Sequence, residues 1–140
     1  MTRDQNMEEQ YRLKTRQWLK DNIDPLKERQ PFSTLHWMPS KETEKNHHNA
    51  CQQLQMKLYE AGFAGTTVPT KYGGQGGEAW MQKIFREEST GYQVHTGFYH
   101  SIIAMALPAL LKYGTEHQKQ EHIKTLISGE VSWCQLFSEP

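Results

Sequence analysis

The sequence has few features of secreted, membrane-bound or nucleic-acid-binding proteins. Its 140 residues contain only two cysteines, Cys51 and Cys134, too few for the disulfide framework of a small secreted domain. Its 16 basic and 16 acidic residues cancel, whereas nucleic-acid-binding domains usually carry a basic excess. The longest apolar run, Ile102 to Leu111, contains Pro108 and is too short to span a bilayer, and no apolar run follows the N-terminal residues. We therefore expect a cytoplasmic protein without nucleic-acid or membrane partners.

The main pattern in the sequence is the helical periodicity of its apolar residues. Apolar residues recur at spacings of three and four in five segments, and capping residues or glycines mark most of their ends. The segments run from about Asp4 to Asn22, Ser40 to Ala61, Glu78 to Ser89, Thr96 to Tyr113 and Thr115 to Gly129. Short loops between the last three favour antiparallel neighbours. The predicted fold class is all-α, an antiparallel bundle of about five helices.

Individual residues indicate where helices begin and which of their positions are buried. Ser40 is a predicted N-cap, and Thr115 with Gln118 has the spacing of a capping box. The predicted buried positions are Cys51, Leu54, Leu58 and Ala61 on the second helix and Ile123, Leu126 and Ile127 on the fifth.

The last ten residues differ from the rest. Val131 to Phe137 is the one segment predicted to be a strand, and Ser138-Glu139-Pro140 a turn. No other part of the chain offers this strand a partner. We therefore expect it to belong to a β-domain of a longer protein.

The glycine-rich stretch Gly73 to Gly77 invites a phosphate-binding interpretation. Its context argues against this, because Pro69 interrupts the segment before it and Glu78 would place negative charge where a phosphate would bind. A structural loop, with glycines at tight backbone angles, is the favoured interpretation.

Two acidic patterns could carry chemistry but are better explained otherwise. Glu44 and His47 form a Glu-x-x-His step that occurs once, whereas a di-iron bundle site needs it twice, so no metal site is predicted. Glu87 and Glu88 are adjacent on a helix, and their side chains diverge by about 100°. A cap-side contact or a contact between helices is favoured over acid–base catalysis for this pair, and no catalytic residue is assigned.

Several motifs occur in a fixed order between about residues 40 and 140. Ala61 to Gly76 has the form aG-x-x-G-x-x-v-P-x-x-y-G-G-x-G, and Phe85 to Glu88 lies on an acidic helix after it. Lys112 to Lys119 has the form of a helix junction, yGteeqK. Leu126 to Glu130 and Cys134 to Pro140 form a run that ends in Thr or Ser followed by Glu-Pro. Together, this ordered set resembles the acyl-CoA dehydrogenase family.

The resemblance implies a three-part enzyme with a helical N-terminal domain, a middle β-domain and a C-terminal helical domain. It divides this chain into an N-terminal helical domain, residues 1–130, and the first strand of the middle domain, residues 131–140. The implied reaction is FAD-dependent α,β-dehydrogenation of an acyl-CoA thioester, with electrons leaving through an electron-transfer partner protein. The full-length enzyme is expected to be a homo-oligomer. The family's usual catalytic base is a glutamate of the C-terminal domain, so this chain alone is expected to be inactive.

The resemblance also implies site residues. Gln135, Leu136, Phe137 and Ser138 would lie along the flavin ring, with the Ser138 hydroxyl hydrogen-bonded to its polar edge. Gly97, Ser101 and Met105 share a helix face at four-residue spacing and would line the acyl-chain pocket. Two alternatives stay open: a non-catalytic helical interaction or assembly module on the same scaffold, and a metal–carboxylate bundle.

Overall fold

The computed structural model describes residues 3–26 and 40–134, and within them the chain forms five α-helices. These are α1 (Arg3–Asn22), α2 (Lys41–Glu60), α3 (Ala79–Glu88), α4 (Phe98–Tyr113) and α5 (Glu116–Ser128). Short 3-10 turns lie at Thr70–Tyr72 and Ser89–Gly91. The all-α fold class is confirmed. Across these two ranges, no helix is both long and apolar enough to cross a membrane.

The helices begin and end where local sequence signals predict. Ser40 caps α2, because its hydroxyl accepts a hydrogen bond from the main-chain N–H of Thr43 at 3.1 Å. At α5, Thr115 and Gln118 each accept a main-chain hydrogen bond from the other, which completes the predicted capping box. Gly129 follows α5 with φ of +80°, the left-handed conformation that commonly terminates helices.

The core has two parts. The first lies among α2, α4 and α5, which contact one another, and the second joins α1 to α3. The predicted stripe of α5 is fully buried, with Ile123, Leu126 and Ile127 at 0% exposure. The close packing of α4 on α5 agrees with their two-residue connection, whereas α3 packs mainly on α1.

Phe63 links α1 to α3 through aromatic contacts. Its ring centroid lies 4.9 Å from that of Trp18 on α1 and 4.7 Å from that of Phe85 on α3. Tyr11 of α1 meets Trp80 of α3 edge to face at 5.5 Å. Such pairs add specific geometry to the area they bury, so this cluster fixes how α1 lies on α3.

The buried face of α2 includes a residue that periodicity did not predict. Cys51 and Leu58 are buried as expected, and Leu54 is half-buried. Gln55, however, is only 4% exposed. Its side chain bonds to the C-terminal end of α5, which makes its burial possible.

The structure describes four residues of the strand predicted from Val131 to Phe137. Val131 to Cys134 have bend and irregular backbone. A strand needs a neighbouring strand to satisfy its main-chain groups, and the Val131 N–H donates instead to the carbonyl of Thr125 at the end of α5. The remainder of the predicted strand, 135–137, lies outside the described residues.

Candidate functional site

One side of α4 is buried and the other is uncovered within the described residues. Tyr99, Ile102 and Ala106 face the interior. The opposite face is mostly apolar, although it is exposed. We call it the α4 stripe, and it consists of Phe98, Ser101, Ala104, Met105, Pro108, Ala109, Lys112 and Tyr113.

Large apolar side chains of the α4 stripe are exposed. Phe98 is 72% exposed, Met105 49% and Tyr113 76%. Single exposed apolar residues are ordinary, but a contiguous apolar patch typically marks a ligand or interaction surface. Pro108 lies on this side, where it cannot donate to the carbonyl of Ala104 one turn earlier. The α4 stripe is therefore the strongest candidate surface on the described chain.

The three residues predicted to bind substrate lie in two different environments. Ser101 and Met105 are on the α4 stripe and exposed. Gly97 is the N-cap of α4, with φ of +55°, and a Cβ added to it would lie 2.8 Å from Cys51 Sγ on α2. The structure thus brings Ser101 and Met105 onto one open face, whereas Gly97 allows close approach of α4 to α2.

An open groove continues from the C-terminal half of α4. It has a volume of about 440 Å³ and lies between α4 and the segment after α5. Its walls include Ala109, Leu110, Tyr113, Trp133 and Cys134. Trp133 packs against the core cluster around Leu126, and its ring lies 5.4 Å from that of His122. The four residues predicted to contact flavin, Gln135, Leu136, Phe137 and Ser138, follow this groove in the chain and lie outside the described residues.

The glycine-rich loop has no main-chain donors left for a phosphate. The N–H groups of residues 73–77 donate in turn to the carbonyls of Thr70, Pro69, Gly65, Val68 and Thr66. A Cβ on Gly74 would lie 2.2 Å from the carbonyl oxygen of Val68. The loop is tightly folded on itself, and the prediction of a structural loop is confirmed.

The acidic pair at the end of α3 binds α1. Arg12 donates to Glu87 at 2.8 Å and also to Glu88, and Arg16 donates to Glu88. These bonds, from Arg16 first and then Arg12, lower the pKa of Glu88, although partial burial opposes them. A carboxylate held ionised between two arginines is a poor general base. Of the two predicted roles, the hydrogen bonds confirm the contact between helices.

Histidines gather near the start of α4 in a way that the sequence did not suggest. His47 Nε2 lies 3.5 Å from Cys51 Sγ, and burial raises the pKa of that thiol. The rings of His95 and His100 are 5.5 Å apart. The residues described contain no group of three or more His, Cys, Asp or Glu that could hold a metal ion. The signal that could have pointed to His95 is its position two residues before a helix N-cap, where a side chain can accept a main-chain hydrogen bond.

These features define an all-helical domain with one uncovered apolar helix face and no complete catalytic group among the described residues. The family profile described as "Acyl-CoA dehydrogenase, N-terminal domain" matches residues 6–130. The chain therefore belongs to the acyl-CoA dehydrogenase family, within which it matches the N-terminal domain.

Curated relatives agree with this membership. A probable acyl-CoA dehydrogenase of Bacillus subtilis is 35% identical over 89 residues, which cover 63% of this chain and 23% of the relative. The mitochondrial short-chain specific acyl-CoA dehydrogenase of Bos taurus is 30% identical over 100 residues, covering 71% and 24%. The caffeyl-CoA reductase–Etf complex subunit CarC of Acetobacterium woodii is 30% identical over 90 residues, covering 64% and 24%.

The chain matches only about a quarter of the length of these relatives. No solved structure matches it significantly.

Proposed function

We propose that this chain is the N-terminal helical part of an FAD-dependent acyl-CoA dehydrogenase, which introduces a double bond between the α and β carbons of an acyl-CoA thioester. The match of residues 6–130 to the family's N-terminal domain carries the proposal. On this proposal residues 1–130 are the helical domain and residues 131–140 begin the middle β-domain. The catalytic base belongs to the part of the enzyme beyond this chain.

The α4 stripe supplies one wall of the acyl-chain pocket. Ligand pockets are lined mainly by apolar side chains with a few polar groups, and the stripe places Met105 and Ala109 beside the hydroxyl of Ser101. Gly97 contributes main chain only, and a Cβ at this position would lie 2.8 Å from Cys51 Sγ on α2. An apolar ligand and the remaining domains would together cover a surface that is otherwise exposed.

The residues that would meet the flavin are Gln135, Leu136, Phe137 and Ser138, with the Ser138 hydroxyl as a hydrogen-bonding group. FAD, when bound, supplies the acceptor for the hydride that leaves the β carbon. The glycine-rich loop does not fit a nucleotide phosphate, since its N–H groups are used internally. The groove beside Trp133 and Cys134 is open and immediately precedes Gln135, which suits an edge contact with a planar ring.

The proposed enzyme acts with further partners. It passes its electrons to an electron-transfer protein, and one relative is itself named as a subunit of a complex with Etf. The complete protein is proposed to be a cytoplasmic homo-oligomer.

A matched pair of methionine substitutions tests the assignment of the α4 stripe. Met105 on α4 and Met56 on α2 are similarly exposed, at 49% and 42%. In the complete protein, Met105→Lys should lower kcat/KM for acyl-CoA by about tenfold or more, because a lysine charge would be desolvated against an apolar chain. Met56→Lys should leave the activity unchanged.

Three results would count against the proposal. Equal activities of the two variants would remove the α4 stripe from the acyl pocket. A complete protein that binds no flavin would favour the non-catalytic interaction module, and a coding sequence that stops after Pro140 would exclude the three-part enzyme.

A further inference from the structure

The start of α4 is held by a histidine side chain. Gly97, the N-cap, has no side chain with which to cap the helix. Its main-chain N–H donates to Nδ1 of His95 at 3.1 Å. An imidazole nitrogen accepts a hydrogen bond only while it carries no proton. The contact therefore requires a neutral His95 whose proton is on Nε2.

Two other imidazoles face His95 from different elements. His100, in the first turn of α4, has its ring 5.5 Å from that of His95. His47 reaches the same region from α2 and contacts Cys51 there. His95 is exposed, but partial burial of its ring lowers its pKa, and the charges of His100 and His47 act in the same direction. The surroundings thus favour the neutral form that the hydrogen bond needs.

The other side of this first turn is also polar. The buried Tyr99 hydroxyl lies 3.4 Å from Nε2 of His48 on α2 and interacts with Ser132. Burial raises the pKa of Tyr99, which keeps its proton available for these contacts. Tyr99 therefore ties the first turn of α4 to α2. The hydrogen bond between Gly97 and His95 is local to the start of α4 and requires an unprotonated imidazole nitrogen.

We propose that His95 is a proton-sensitive latch at the start of α4, holding the Gly97 N–H when neutral and releasing it when protonated. Protonation removes the acceptor of the Gly97 N–H and places a positive charge near His100 and His47. It also adds a cation at the positive end of the helix dipole. All three effects loosen the segment that begins the α4 stripe at Phe98 and Ser101.

The direction of the pH dependence follows from linkage. Because the folded protein favours neutral His95, the unfolded chain binds more protons below the ordinary histidine pKa of 6.5. The latch therefore contributes its full stabilisation above that pH and loses it as the pH falls further.

Nuclear magnetic resonance of the 140-residue chain tests the latch directly. The Gly97 amide shift should titrate together with the His95 ring, with a midpoint below 6.5. Between pH 7.5 and pH 5 the protection of the Gly97 amide against exchange, corrected for the intrinsic rate, should fall by about three- to tenfold, the factor expected for an ordinary net hydrogen bond.

Two variants and a control keep the test decisive. His95→Asn offers an amide oxygen near the position of Nδ1 and cannot titrate, so Gly97 should stay protected at both pH values. His95→Ala should show the low protection at both. His117→Asn, on the exposed face of α5, should retain the pH response of the unsubstituted chain. A pH response that persists in His95→Asn, or full protection in His95→Ala at pH 7.5, would overturn the proposal.

Discussion

Gln55 of α2 donates a hydrogen bond through Nε2 to the main-chain carbonyl of Ile127, 2.7 Å away, near the C-terminal end of α5. The last carbonyls of a helix have no partner within the helix. Gln55 satisfies one of them, and Gln52 satisfies the carbonyl of Gly129 at 2.9 Å. Two glutamines of α2 thus complete the end of α5.

Removing this contact should destabilise the fold. Gln55→Met keeps the length of the side chain but leaves a buried carbonyl unpaired, which should lower the free energy of unfolding by about 1–3 kcal/mol. Gln53 lies two residues earlier on α2 and is exposed. Gln53→Met should therefore change the free energy of unfolding by less than about 0.5 kcal/mol. Urea denaturation of both variants measures the difference, and a Gln55→Met protein as stable as the control would show that α5 does not need this partner.

The glycine-rich loop should tolerate no side chain at its tightest position. A Cβ on Gly74 would lie 2.2 Å from the carbonyl oxygen of Val68, and Val68 is only 1% exposed. A Cβ on Gly91 would meet no atom within 4 Å. Gly74→Ala should therefore lower the free energy of unfolding by about 1–3 kcal/mol or more, and Gly91→Ala should cost less than about 1 kcal/mol. Thermal unfolding followed by circular dichroism compares them. Similar melting temperatures would contradict the described geometry of the loop.

Sequence reasoning succeeded where a structure is determined locally. The cap at Ser40, the capping box at Thr115 and the end of α5 at Gly129 depend on residues within one helical turn. The glycine-rich loop could also be recognised as structural, because Pro69 and Glu78 beside it disfavour phosphate binding.

Sequence reasoning failed where a residue's hydrogen-bonding or pairing partner is distant in the chain. The burial of Gln55 depends on a carbonyl of residue 127, and periodicity describes only the apolar residues of α2. The strand predicted from Val131 to Phe137 also depends on a distant partner, because a strand forms only beside another strand.

Acid should weaken the attachment of α1 to α3. Arg16 and Arg12 lower the pKa of Glu88. Its contribution to the free energy of unfolding is therefore present above the ordinary pKa of a glutamate and is lost as the pH falls through and below that value. Glu88→Gln should reduce stability at pH 7 and make the loss of stability between pH 6 and pH 3 shallower. Glu60→Gln, at the exposed end of α2, is the control and should alter stability little at pH 7. Urea denaturation across this pH range gives both slopes, and identical slopes for unsubstituted and Glu88→Gln proteins would remove Glu88 from the acid response.

Acyl-CoA oxidation by the complete protein tests the central proposal most directly. The complete protein and the 140-residue chain would each be mixed with FAD, a ferrocenium acceptor and a series of acyl-CoA thioesters, while flavin absorbance and acceptor reduction are followed. The complete protein should bleach its flavin and reduce the acceptor with at least one thioester. The chain alone should do neither, because positioning of a base and a flavin accounts for many orders of magnitude in rate. A complete protein without bound flavin or acyl-CoA-dependent bleaching, or turnover by the chain alone, would contradict the account.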